Sequence, residues 1–216
     1  MLQNTIARPE QDAPACPNSG GWRSQFAHPH GWVGWIAGQL MAVRNRERSL
    51  WVLSLLDLHP GLRVLEIGFG SGADIRRVAQ RVPQGLAAGI DLSETMLHLA
   101  AGKNREAIAA GRVELRCGPA SRLPHSSDFF DRVFAINVAQ FWDTPAETAR
   151  ELWRVLKSGG MVALAVQPRN KGAGEQTAID TGARLVEALT AAGFRSVRSE
   201  RLAARPVPTV CALGLK

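Results

Sequence analysis

The sequence predicts an α/β fold, an open seven-stranded, mostly parallel sheet with helices on both faces. Three observations carry this. Short apolar runs of strand character alternate with segments whose apolar residues recur every three or four positions, the pattern of βα units. The run Arg63 to Ile67 passes into glycines at alternating positions, Gly68, Gly70 and Gly72, and then into a helical pattern at Ile75, Val78, Ala79 and Val82. Asp91 closes the next strand about 20 residues beyond that loop, where such folds place a carboxylate on ribose hydroxyls.

Length and composition narrow the class. A chain of 216 residues, 45% hydrophobic and 21% charged, reads as one globular domain with a full core. No apolar run approaches the ~18 residues needed to cross a bilayer. Met1 to Gly20 lacks the basic start and apolar core of a secretory leader. The three cysteines, Cys16, Cys117 and Cys211, are scattered and odd in number, so neither a disulfide framework nor a zinc site is expected. The natural setting is then a reducing cytoplasm. The net charge of +7 comes from arginine, 22 of the 26 basic residues. These arginines are spread along the chain with no basic tail and no basic–aromatic run, which argues against a nucleic-acid partner.

Taken in order, residues 1–20 carry Pro9, Pro14, Pro17 and Gly20 with little periodicity and read as a mobile tail. Residues 21–59 read as a helical extension before the first strand. Trp32, Ile36, Leu40 and Val43 form one stripe; Trp51, Leu55 and Leu58 form a second, with Arg44, Arg46 and Arg48 between them. The second stripe reads as packing on the sheet as core; the first helix is rich in glycine and tryptophan, which suits a lid over a pocket or a segment touching lipid, with core packing as its alternative. His28 and His30 lack companion ligands for a metal and read as a loop pair or a substrate-facing base.

The remaining residues, 60–216, form the main domain. Leu86 to Ile90 is the second strand, and Ser93 to Ala110 is one helix stopped by Gly111. Strands follow at Arg112–Arg116 and Phe130–Asn137, then a helix at Thr144–Leu156. Lys157 to Gly160 reads as a tight turn before the strand Met161–Val166. A helix at Gln176–Ala192 and two last strands, Phe194–Leu202 and Val207–Leu215, complete the pattern. Right-handed crossovers bring the loops after strands one, two and four to one edge of the sheet.

The glycine loop has two readings. Gly68, Gly70 and Ala73 satisfy the dinucleotide pattern G-x-G-x-x-G/A, which cradles a pyrophosphate. Glu66 to Gly72 also satisfies E-x-G-x-G-x-G. Asp91 has two readings as well: ribose ligand, or cap of the following helix beside Ser93 and Glu94.

Four stretches taken together, VLEIGFGSG (64–72), GIDLSETML (89–97), LPHSSDFFDRVFAINV (123–138) and ELWRVLKSGGMVALAV (151–166), resemble the class I S-adenosylmethionine (SAM) dependent methyltransferases. The likeness spans roughly residues 45–216 and is nearest to the small-molecule branch that includes ubiquinone and menaquinone biosynthesis enzymes. It implies the Rossmann-like class I methyltransferase fold and SAM as cofactor, with S-adenosylhomocysteine as product. It implies that Glu66, Gly68, Phe69, Gly70 and Gly72 hold the methionine part, that Asp91 binds the ribose, and that Leu92 and Met96 pack near the adenine. Asn137 falls where the family's backbone carbonyl meets the SAM amino group, and Ala120 and Ser121 fall at the adenine edge. Pro119 departs from the pattern, because the family often has an acidic residue there to accept from the adenine amine; the Ser121 hydroxyl is the available substitute.

Gln140, Phe141 and Trp142 follow strand four, where acceptors sit in this fold, and with Trp32 and Trp35 they are the candidate substrate-binding residues. No general base stands out: His28, His30 and Asp143 are the candidates. No metal site is expected. The expected activity is methyl transfer to a small apolar or aromatic acceptor, with peripheral membrane contact open. A non-catalytic SAM-binding protein of the same fold is the alternative, and a nicotinamide-dependent oxidoreductase a weaker one.

Overall fold

The computed structural model describes residues 46–216. The tail, the first stripe of the extension and the candidates His28, His30, Trp32 and Trp35 lie outside the described residues. The elements are α1 (46–55), β1 (Arg63–Ile67), α2 (Ala73–Arg81), β2 (Leu86–Asp91), α3 (Glu94–Lys103), α4 (Arg105–Ala109) and β3 (Val113–Cys117). They continue with β4 (Phe130–Ile136), a 3₁₀ turn (Ala139–Phe141), α5 (Pro145–Val155), β5 (Leu156–Val166), α6 (Glu175–Ala191), β6 (Arg195–Leu202) and β7 (Thr209–Leu215).

One sheet runs β3-β2-β1-β4-β5-β7-β6. β1 to β5 pair in parallel, while β7 lies antiparallel between β5 and β6. The expected mostly parallel, seven-stranded α/β architecture is therefore what forms. The central strands are apolar on both faces, as parallel strands covered by helices must be. In β1, Val64 enters one core with Val52, Leu53 and Leu56 of the α1 segment and with Ile75 and Val78 of α2. Leu65 and Ile67 enter the other with Leu152, Val155 and Leu189 of α5 and α6. Chain order reverses between β2-β1 and β1-β4, so the C-terminal ends of β1 and β4 border a crevice where ligands bind in open α/β sheets.

Four expectations are corrected. The helix after β2 is two helices, broken at the buried Asn104, which ends α3 and starts α4. Lys157 to Gly160 is a bulge within β5: Phe130 pairs with Leu156, and the register resumes at Arg132 with Met161. On α1 the fully buried residues are Val52 and Leu53, with Leu56 just beyond, whereas Trp51, Leu55 and Leu58 are only half-buried against them. Cys117 is disulfide-bonded, contrary to the reading of the cysteines, which removes the cysteine argument for a reducing compartment. Among the described residues no helix is long and apolar enough to cross a membrane.

Candidate cofactor and acceptor site

The glycine loop joins β1 to α2, and its three glycines do different work. A Cβ on Gly68 would sit 2.4 Å from Val138 Cγ2, and one on Gly72 would sit 2.6 Å from Ala100 Cβ. Both positions are closed by neighbouring elements. Gly70, at φ +50°, has nothing within 4 Å of its missing Cβ. The loop thus packs at its two ends and opens at its centre, which leaves the backbone approachable by a ligand.

Three carboxyl side chains surround this opening. Asp91, at the end of β2, accepts from Gly70 N at 2.8 Å through one oxygen and from Ser93 N at 2.9 Å through the other. It is not the helix cap: Ser93 is, its hydroxyl accepting from Met96 N at 3.3 Å. Each Asp91 oxygen keeps a second lone pair, the requirement for a vicinal diol. Glu66 is 3% exposed and its Oε2 has no hydrogen-bond partner. Burial pushes its carboxyl well above the usual range, and Asp74 and Asp91 add to this; a backbone hydrogen bond at Ile75 and the charge of Arg77 oppose it. Asp74, in the first turn of α2, pairs with Arg77 and accepts from Ser49 Oγ of α1 at 2.7 Å.

This set of acceptors decides between the two readings of the loop. A pyrophosphate would bring negative charge against three carboxyl groups, one of them already forced toward its neutral form. A cationic sulfonium with an ammonium group finds there an unused buried acceptor at Glu66 and an open backbone at Gly70. The residues present fit SAM.

The other expected residues are placed as follows. The Phe69 side chain is buried in the core beneath Gly89, so only its backbone belongs to the loop. Leu92 is 46% exposed beyond β2, and Met96 is half-buried against the α2–α3 core. Ala120 packs on the opposite core, while Ser121 is exposed and Pro119 half-buried. Asn137 directly follows β4 at φ +57°, and its carbonyl accepts from Gln140 Nε2 at 3.1 Å. Phe141 is 50% exposed. Trp142 turns inward against the α5–α6 core with its Nε1 buried, so its ring serves packing. Asp143 is exposed.

The structure adds residues that sequence reasoning missed. Asn104 Nδ2 donates to Gly72 O at 3.0 Å and to Ala100 O at 2.8 Å, tying the α3–α4 break to the loop. Lys103 Nζ reaches Ser71 Oγ at 3.1 Å beside it. Arg48, Ser49 and Gln167 are buried polar residues facing the same edge. No local motif marks any of them.

Comparison with known proteins agrees with this chemistry. A family model described as a methyltransferase domain matches residues 65–164. An uncharacterized methyltransferase of Bacillus subtilis (strain 168) is 30% identical over 181 residues, covering 84% of this chain and 98% of that protein. The ubiquinone/menaquinone biosynthesis C-methyltransferase of Geotalea daltonii is 31% identical over 107 residues, 49% of this chain and 45% of that one. Among solved structures, the [4+2]-cyclase SpnF superposes with a TM-score of 0.61 at 29% identity, covering 74% of this chain and 61% of that chain. The chain belongs to the class I methyltransferases, enzymes that take their methyl group from SAM.

Proposed function

We propose that this enzyme methylates a small, apolar or aromatic acceptor by in-line displacement at the sulfonium methyl carbon. Bound SAM supplies the activated methyl group, and the chain supplies position. In this reading Gly70 leaves room for the methionine part, Glu66 faces its positive charge, Asp91 takes the ribose, and the Asn137 carbonyl takes the amino group. Leu92, Met96, Ala120 and Ser121 border the adenine, with Pro119 providing no acceptor.

The observation that carries the acceptor class is Phe141, a large aromatic side chain left half exposed three residues after Val138, whose side chain abuts Gly68. Gln140 and Phe141 shape the acceptor side, whereas Trp142 supports them from within. Of residues 21–59, the part that precedes α1 acts as a lid element in which Trp32 and Trp35 complete the acceptor pocket, whereas α1 itself packs in the core. Alignment alone can lower such a barrier by about 7–11 kcal/mol, so no general base is assigned among His28, His30 and Asp143.

The test is transfer from methyl-labelled SAM to a panel of phenols, quinols, sterols and amines. Phenols or quinols should accept label, and Phe141→Ala should raise KM for them with little change in S-adenosylhomocysteine affinity. A chain beginning at residue 39 should keep S-adenosylhomocysteine binding and lose transfer. Label appearing only in polar amines would overturn the acceptor class, and full turnover by the truncated chain would overturn the lid.

A further inference from the structure

Asn137 has a backbone conformation that side chains seldom adopt, φ +57°, at the end of β4 beside the glycine loop. A left-handed residue turns its carbonyl away from the sheet's hydrogen-bond direction, and such a residue persists only where its surroundings over-determine it. Besides the Gln140 bond to its carbonyl, two bonds tie it to the β5 side: its N–H donates to Ala165 O at 2.8 Å, and its Oδ1 accepts from Gln167 N at 2.8 Å.

Gln167 follows β5 and is 7% exposed. Both ends of its amide are engaged. Oε1 accepts from Arg48 Nη1 at 2.7 Å, and Nε2 donates to Val207 O at 2.8 Å. Arg48, on α1, is 4% exposed. Burial and the nearby Arg169 bring its guanidinium down to about 10, still charged near neutral pH, with Asp74 opposing the shift. A leucine at 167 would fill similar space without the cost of desolvating an amide. The amide gains a fixed position: a glutamine held at both ends cannot slide, so its backbone N–H stays in register with Asn137 Oδ1. Buried hydrogen bonds at both ends of the amide rigidify what they touch.

We infer that Gln167, seated on Arg48, is a positioning residue that fixes the Asn137 carbonyl for the amino-acid end of SAM. This rests on the proposed role of Asn137 as acceptor for the SAM amino group. Arg48 and Gln167 touch no reacting atom; they act through Asn137. The consequence is selective, since the network bears on one end of the cofactor and leaves the ribose and adenine contacts alone.

Calorimetry with two ligands tests this: S-adenosylhomocysteine, and 5′-methylthioadenosine, which keeps the adenine, ribose and thioether but lacks the amino-acid end. Gln167→Leu should weaken S-adenosylhomocysteine about tenfold, the scale of a displaced buried hydrogen bond, with 5′-methylthioadenosine unchanged. Gln167→Glu keeps an acceptor for Arg48 but loses the donor to Val207 O, so it should recover only part of that loss. Thermal melting shows whether each variant is folded at the titration temperature; if the leucine variant is not, Arg48→Met, which leaves Gln167 in place, carries the same comparison. Equal losses for both ligands, or no loss for either, overturn the inference while leaving the site intact. A wild-type chain that binds neither ligand overturns the cofactor reading itself.

Discussion

Glu66 holds a carboxyl group where a charge is poorly solvated. Its raised folded-state pKa has a definite sign for stability. The unfolded chain releases this proton near the ordinary glutamate value of about 4.3, whereas the native state retains it to higher pH. Stability therefore falls as pH rises through the window between the two values, and the loss is complete above the folded pKa. Glu66→Gln removes that dependence. The variant should melt above wild type at neutral pH, by an amount that grows from about pH 4.3 upward and then levels. It should also bind S-adenosylhomocysteine more weakly, a trade between stability and function of the usual kind. An offset in melting temperature that does not vary with pH would refute the charge argument. Asp91 behaves differently, because its oxygens already hold Gly70 N and Ser93 N. Asp91→Ala should cost about 1.5–3 kcal/mol in S-adenosylhomocysteine binding and also lower the melting temperature of the free protein, since two backbone donors lose a charged partner. Melting curves and titrations on one preparation separate the two effects; an unchanged affinity would remove Asp91 from the site.

Elements position the loop through contacts that cross long stretches of sequence. Ser49 of α1 reaches Asp74 across 25 residues, Asn104 reaches Gly72 across 32, and Arg48 reaches Gln167 across 119. Asn104→Leu keeps comparable volume and deletes the donor to Gly72 O. It should lower the melting temperature and weaken S-adenosylhomocysteine binding. Leu189→Ala, a cavity in the α5–α6 core, should lower only the melting temperature, by a Leu-to-Ala cost of about 2–5 kcal/mol. Equal affinity in the two variants would show Asn104 to be packing alone. The same distances explain what the sequence disclosed. β1, the glycine turn and Asp91 were legible because a strand entering a helix through open backbone demands a local pattern. The break at Asn104 was not, because Gly102 lies inside α3 rather than after its end, and alanines and charges run on through residue 104 without a proline. Arg48 and Ser49 carried no signal because nothing nearby in sequence says that the ends of β5 and α2 will cover them. Phe69 and Trp142 were misplaced for a related reason: position in a loop locates the backbone, and the neighbouring sheet face decides where the ring goes.

At the scale of the whole molecule, labour divides along the sheet. The five parallel strands direct their C-terminal ends to one edge, so every candidate cofactor residue sits there. The antiparallel β7 and β6 complete the sheet on the other side of β5. β7 is almost wholly buried, and Lys216 just beyond it extends its pairing with β5: Lys216 N donates to Gly160 O at 2.9 Å, and its Nζ meets Asp128 at 2.8 Å while lying 4.0 Å from the Trp153 ring centroid. β6 is an edge strand with Arg195, Arg198 and Arg201 exposed, charges that discourage pairing with another chain. Hydrogen exchange should reflect this division. In the free protein, amides of β1, β4 and β5 should exchange slowest and those of the edge strands β3 and β6 fastest, following burial and pairing. S-adenosylhomocysteine should add protection at residues 66–75, 91–97 and 137–141, and at Gln167, but not along β6 or β7. Ligand contacts at one edge restrain the backbone they touch, and β5 is already rigid enough to isolate the strands beyond it. Added protection spreading through β6 and β7 would mean that the ligand tightens the entire sheet, and the far strands would then belong to the binding equilibrium rather than to the scaffold.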